Sequence, residues 1–169
     1  MNGSLERQLD SIFRDIQTDV ADDGRLRVRA TAESVLSVLK FLKDAGCDYL
    51  QLVSCVDWVE QDQLEIVYVL SRYIREGEQP GDDQTRVVLT TLVPRGAPSL
   101  PTSIGVFPIA EPYEREIHEL FGVRFEGHPR LTPLFLEREY DIPPFRKDFD
   151  TRQYVEDLFG AVPPVGEES

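Results

Sequence analysis

The stretch EPYEREIHELFGVRFEGHPRLTPLFLEREYDIPPFRKD, from Glu111 to Asp148, is the one the rest of the chain is organised around. It opens as a short helix. Pro112 suits the first helical position because its missing N–H would have no intrahelical acceptor there. Glu111, Glu114 and Glu116 bring negative charge to the positive end of the helix dipole. Tyr113, Ile117, Leu120 and Phe121 recur at the spacing of one helical face, and Arg115 has Glu111 and Glu119 one turn to either side. Gly122 stands where a residue with positive φ ends a helix, and Val123 and Phe125, flanking Arg124, begin an extended run. Beyond it Gly127, Pro129, Pro133, Pro143 and Pro144 bend the chain or withhold backbone donors, which predicts an irregular tail. That tail carries Leu131, Leu134, Phe135, Leu136, Tyr140, Ile142, Phe145 and Phe149. So many apolar groups need a cover, on this domain or on another protein.

Upstream, Ser4 to Thr18 has Leu5, Leu9, Ile12, Phe13 and Ile16 at helical spacing and reads as an amphipathic helix broken by Asp22-Asp23-Gly24. Arg25 to Ala30 alternates, with Leu26, Val28 and Ala30 inward and three arginines outward, either as a solvated face or paired with acids on a neighbouring strand. Thr31 is placed to cap a helix that runs to Ala45 and stops at Gly46. Tyr49 to Trp58 and Leu64 to Tyr73 read as strands joined by a link short enough for an antiparallel hairpin. Arg75 to Gln84 reads as an exposed loop, Arg86 to Val93 as a further strand, and Pro94 to Ser103 as loop again. The predicted fold is α+β, a largely antiparallel sheet backed by helices, with a globular domain over 1–128 and an extended, Pro-rich, partner-binding tail over 129–169.

Within 169 residues, Asp plus Glu number 31 against 18 Lys plus Arg, a net charge of −13. Binding a phosphate backbone takes clustered Lys and Arg, so nucleic acid is excluded as a partner. Cys47 and Cys55 are too few for an iron–sulfur cluster and match no zinc spacing; they read as buried, reduced thiols. There is no run of about twenty apolar residues and no leader-like start, so membrane association is expected only through partners.

Catalytic patterns are weak. His118 has Glu114 one turn before it, but a zincin helix needs its second His where Gly122 stands. No serine sits in a nucleophile elbow, and no glycine-rich loop precedes a helix to hold NAD or flavin. His128, between Gly127 and Pro129, reads as a turn residue bonded to backbone, with general-base chemistry as the alternative.

The same stretch resembles a family signature. Tyr113-Glu114-Arg115-Glu116, Leu120-Phe121-Gly122-Val123, Phe125-Glu126-Gly127-His128-Pro129 followed by Leu131, and Pro144-Phe145-Arg146-Lys147-Asp148 are similar to the thirty-kilodalton subunit of respiratory complex I (NADH:quinone oxidoreductase). Related subunits occur in membrane-bound nickel–iron hydrogenases. The resemblance implies a cofactor-free structural subunit of the peripheral arm, with iron–sulfur clusters and flavin or nickel–iron held by other subunits. Its implied partners are the large quinone-site or nickel–iron subunit and a neighbouring iron–sulfur subunit, on the cytoplasmic side of the membrane, in support of electron transfer to quinone coupled to ion translocation. The contact or signature residues it implies are Glu114, Arg115, Glu116, Phe121, Gly122, Phe125, Gly127, His128, Pro129, Leu131, Phe145, Arg146, Lys147 and Asp148. Glu119 replaces the family's usual Asp and Pro133 its Arg, and Thr132 to Leu136 looks more like the hydrogenase-type branch. An adaptor unrelated to electron transfer is the competing reading.

Overall fold

The computed structural model describes residues 2–73, 85–136 and 143–160. The loop expected over Arg75 to Gln84, and the tail residues Tyr140 and Ile142, lie outside the described residues.

Alternation along the strands decides the layering. In β2 (Leu26–Ala30), β4 (Gln63–Ser71) and β5 (Arg86–Pro94) every second side chain is buried, as a two-residue period requires when one face packs on a core. With β1 (Gln17–Val20) and β3 (Tyr49–Trp58) these form a five-stranded sheet in the order β1-β2-β5-β4-β3. Its pairings are antiparallel except that of β2 with β5. The expected α+β class and the β3–β4 hairpin are therefore what the chain adopts.

The inward face meets α1 (Asn2–Ile12), α2 (Val35–Asp44) and α3 (Ala110–Phe121). Leu5 and Leu9 of α1, Val38 and Leu42 of α2, and Ile117 of α3 join Val28, Ile66, Tyr68 and Leu89 of the sheet in one core. Each fully buried aliphatic side chain contributes about 1.5–3 kcal/mol, so this layer is the main source of stability.

Three expectations are corrected. The first helix ends at Ile12; Phe13 and Ile16 pack on the core from a turn, and Gln17–Val20 pairs with β2. Burial of those two side chains mimics helical periodicity, and Asp22-Asp23-Gly24 is the hairpin turn, with Gly24 at φ +79°. Second, the segment expected as loop from Pro94 to Ser103 contains β6 (Ser99–Pro101), which runs parallel to β7 (Arg124–Glu126). This small ladder brackets α3 and fixes both its ends. Third, the tail contains a helix, α4 (Thr151–Phe159). Asp150 Oδ1 accepts from the Arg152 N–H at its start, and Gly160, at φ +80°, closes it.

Candidate functional site

Helix α3 is fastened from the inside by a carboxylate. Glu114 is fully buried. Its Oε1 accepts from the Ser103 N–H and hydroxyl, both at 2.6 Å, and its Oε2 from the Thr102 hydroxyl at 2.5 Å. The loop from β6 into α3 is thereby tied to the helix it precedes. At the other end Gly122 adopts φ +77° and donates its N–H to His118 O at 2.8 Å, the left-handed cap expected from the sequence. Phe125 on β7 is buried in the core.

The outer face of α3 holds the first part of the tail. Arg115 donates to the carbonyls of Thr132 (3.0 Å) and Pro133 (2.9 Å). Glu119 accepts from the backbone N–H groups of Leu134, Phe135 and Leu136. One helix face thus satisfies acceptors and donors of a segment that prolines keep from satisfying itself. His128 Nδ1 accepts from the Arg130 N–H at 3.0 Å, and its Nε2 lies 3.4 Å from Glu111 O. Gly127 adopts φ +83°, Pro129 lies in the exposed turn that follows, and Glu116 is half-buried on α3. Leu131 packs against the core.

The second part of the tail is latched to the end of the sheet. The Phe145 N–H donates to Leu120 O, and Arg146 Nε donates to Phe121 O at 2.8 Å. The rings of Phe121 and Phe145 meet edge to face at 5.9 Å. Asp57, on the inward side of β3 and 3 % exposed, accepts from Arg95 through both oxygens (2.7 and 3.0 Å) and from the Lys147 N–H at 2.8 Å. Arg95 also donates to both oxygens of Asp148, at 2.6 and 3.1 Å. A buried carboxylate demands a cation and full hydrogen bonding, which is why this joint forms. The Arg95 guanidinium is the main influence holding Asp57 and Asp148 below the usual carboxylate range. Lys147 Nζ lies 5.9 Å from the Trp58 ring centroid.

Arg146, Lys147 and Asp148, expected to bond a partner, thus have intramolecular partners, and the tail is an arm clamped at two places rather than a free strip. Phe135 and Phe145 are the large apolar side chains it leaves outward, 68 % and 60 % exposed. Asp57, Arg95 and Glu119 are the residues sequence reasoning missed as clamps. A signal existed for Asp57, an acid at the inward parity of Val53 and Cys55 in an apolar strand.

Burial pushes the Cys55 thiol up to about 12, which leaves it un-ionised and inert. Among the described residues no three His, Cys, Asp or Glu side chains gather as ligands for a metal ion, and no helix is long and apolar enough to cross a membrane. These features define a two-layer α+β domain whose signature helix carries an arm clamped at two places.

The particular family follows from the sequence. Residues 28–155 match the model of the respiratory-chain NADH dehydrogenase, 30 Kd subunit, and the chain belongs to that family. It is 33% identical over 137 residues to the corresponding subunit of the NADH-quinone oxidoreductase of Rhizobium rhizogenes, covering 79% of this chain and 64% of that protein. It is also 33% identical over 128 residues to the corresponding subunit of the F(420)H(2) dehydrogenase of Methanosarcina mazei, covering 75% of this chain and 76% of that one. The match therefore spans less than two thirds of the Rhizobium relative's length. Among solved structures, a chain of an archaeal respiratory complex, the membrane-bound sulfane sulfur reductase, superposes with a TM-score of 0.81 at 25% identity over 98% of this chain and 95% of that one. A trypsin-resistant fragment (1-134) of Nqo5 superposes with a TM-score of 0.64 at 28% identity over 78% and 100%.

Proposed function

We propose that this chain is the cofactor-free structural subunit of the peripheral arm of a complex I-like oxidoreductase, and that its clamped arm is the element that docks on the large subunit. The observation that carries the reading is the joint at Asp57. A family member with weak catalytic patterning uses a buried ion pair to hold residues 143–148 in one place, with Phe135 and Phe145 turned outward. An arm fixed in advance loses little conformational entropy on docking, so more of the apolar burial is available as affinity. In this reading residues 129–169 bind the partner and residues 1–128 position them. Clusters, flavin or nickel–iron belong to other subunits, a neighbouring iron–sulfur subunit among them, and the chain sits on the cytoplasmic side of the membrane, held there by the complex.

The relatives favour a second reading for the electron donor and acceptor. A chain of a sulfane sulfur reductase complex superposes over almost the whole of this one, and a subunit of an F(420)H(2) dehydrogenase stands among the sequence relatives. The test is isolation of the complex through a tag on this chain in its native host. Copurification of a large subunit and an iron–sulfur subunit, with electron transfer from NADH to quinone, is the expected result. Transfer from reduced F(420), or to sulfane sulfur, would move the chain to the corresponding branch. A tagged chain recovered alone, with no redox partner, contradicts the proposal and favours the adaptor.

A further inference from the structure

Among the described residues the two most exposed large apolar side chains, Phe135 at 68 % and Phe145 at 60 %, belong to residues whose main chain is held fast. The Phe135 N–H donates to both oxygens of Glu119, at 3.1 and 3.0 Å, and the Phe145 N–H donates to Leu120 O at 3.0 Å. Glu119 and Leu120 are consecutive in the last turn of α3, so both residues are fastened at one end of that helix. A phenylalanine side chain has only two torsions left to order once its backbone is fixed. Preorganised aromatic side chains of this kind are where interfaces concentrate their affinity.

The charges nearest Phe145 are engaged within the chain. Arg146 donates through Nε to Phe121 O, Lys147 Nζ lies 5.9 Å from the Trp58 ring centroid, and Asp148 accepts from Arg95. On the first part of the arm, Arg130 lies 3.5 Å from Glu111. These groups place the arm, whereas the two rings are turned away from it.

We propose that Phe135 and Phe145 are paired anchors of the docking contact, and that the large subunit receives both in one apolar cleft with no charge opposed to them. The inference rests on the reading that the arm docks on that subunit. It adds which residues carry the affinity and what chemistry meets them. Salt does not screen a contact of this kind, whereas docking through the net charge of −13 would weaken as ionic strength rises.

The complex isolated from the native host through a tag on this chain tests it, with the recovered large subunit as the readout. Raising potassium chloride from about 0.1 M to about 1 M, which shortens the screening length from about 10 Å to about 3 Å, is expected to change recovery less than twofold. Phe135→Lys and Phe135→Glu are each expected to lower recovery at least fivefold and to the same extent, because an apolar cleft pairs with neither sign. Phe145→Ala is expected to lower it at least threefold and Phe145→Leu less. Ile109→Ala, which truncates a side chain 56 % exposed at the other end of α3, is expected to leave it unchanged. Slow amide exchange at Lys147 in each isolated variant is expected to show that the arm is still in place. Parent-level recovery in both Phe135 variants, loss in only one of them, or dissociation by salt alone overturns the inference. Loss that accompanies fast exchange at Lys147 also overturns it, since the ring then places the arm instead of meeting the partner. In each of these cases reduced recovery in Arg95→Ala, whose arm is unclamped, leaves the arm reading standing. Parent-level recovery in Arg95→Ala together with both Phe135 variants sinks both.

Discussion

Two buried carboxylates organise this protein in opposite ways. Glu114 is satisfied by Thr102 and Ser103, close in sequence, with no cation among the described residues. Asp57 is satisfied by Arg95 and by the N–H of Lys147, ninety residues on in the chain. Glu114 closes a loop on the helix it leads into. Asp57 joins the end of the sheet to an arm that prolines keep from folding on its own. The contrast assigns stability of the domain to the first and placement of the arm to the second.

Arg95→Ala is the strongest way to break the Asp57 side of this comparison. It leaves a buried carboxylate without its cation and is expected to cost about 3 kcal/mol in urea unfolding, with fast amide exchange at Phe145 and Lys147. Glu114→Ala strands the buried Ser103 N–H and is expected to cost about 2 kcal/mol, yet to leave exchange at Lys147 unchanged. Equal loss of arm protection in both variants would erase the distinction.

A pair of glycines sharpens it. Gly24 and Gly122 both have positive φ, +79° and +77°. A Cβ at Gly24 meets nothing within 4 Å, whereas at Gly122 it would lie 2.9 Å from Pro143 Cγ and 3.2 Å from Arg146 Nη2. Gly24→Ala is expected to cost about 1 kcal/mol from backbone strain alone. Gly122→Ala is expected to cost more and to loosen residues 143–146, read by thermal unfolding and by proteolysis of the arm.

Acid gives a smaller, graded effect. Asp57 and Asp148 have folded pKa values below the 3.8 of a free aspartate, so the folded state binds fewer protons than the unfolded one. Their contribution is fully present above that value and is lost as pH falls through the folded values. Between about pH 5 and about pH 3 the parent chain should lose more stability than Arg95→Ala, which has lost the main cause of the depression. The smallest effect belongs to Asp148→Asn. Its partner keeps Asp57, and its side chain is 45% exposed, so the change should cost about 1 kcal/mol or less in the same urea assay.

The sheet was legible because alternation writes burial directly into β2, β4 and β5, and α3 because Pro112, Gly122 and the spacing from Tyr113 to Phe121 agree with one another. The start of the chain was misread because Phe13 and Ile16 are half-buried from a turn at positions a helix would also cover. Helix α4 had its markers in Asp150 and Gly160, overshadowed by the prolines on either side. Of the candidate site, local sequence shows that residues 129–149 need a cover. It does not reveal that Arg95, more than fifty residues before Asp148, supplies the clamp, because that pairing depends on where β3 and β5 end in space.

Amide hydrogen exchange on the isolated chain tests the central claim most directly, because it reads the arm before any partner is present. If the arm is clamped in advance, the Phe145 and Lys147 amides exchange slowly in the free parent chain and at close to the unstructured rate in Arg95→Ala. Rapid exchange of both amides in the free parent chain would contradict the account.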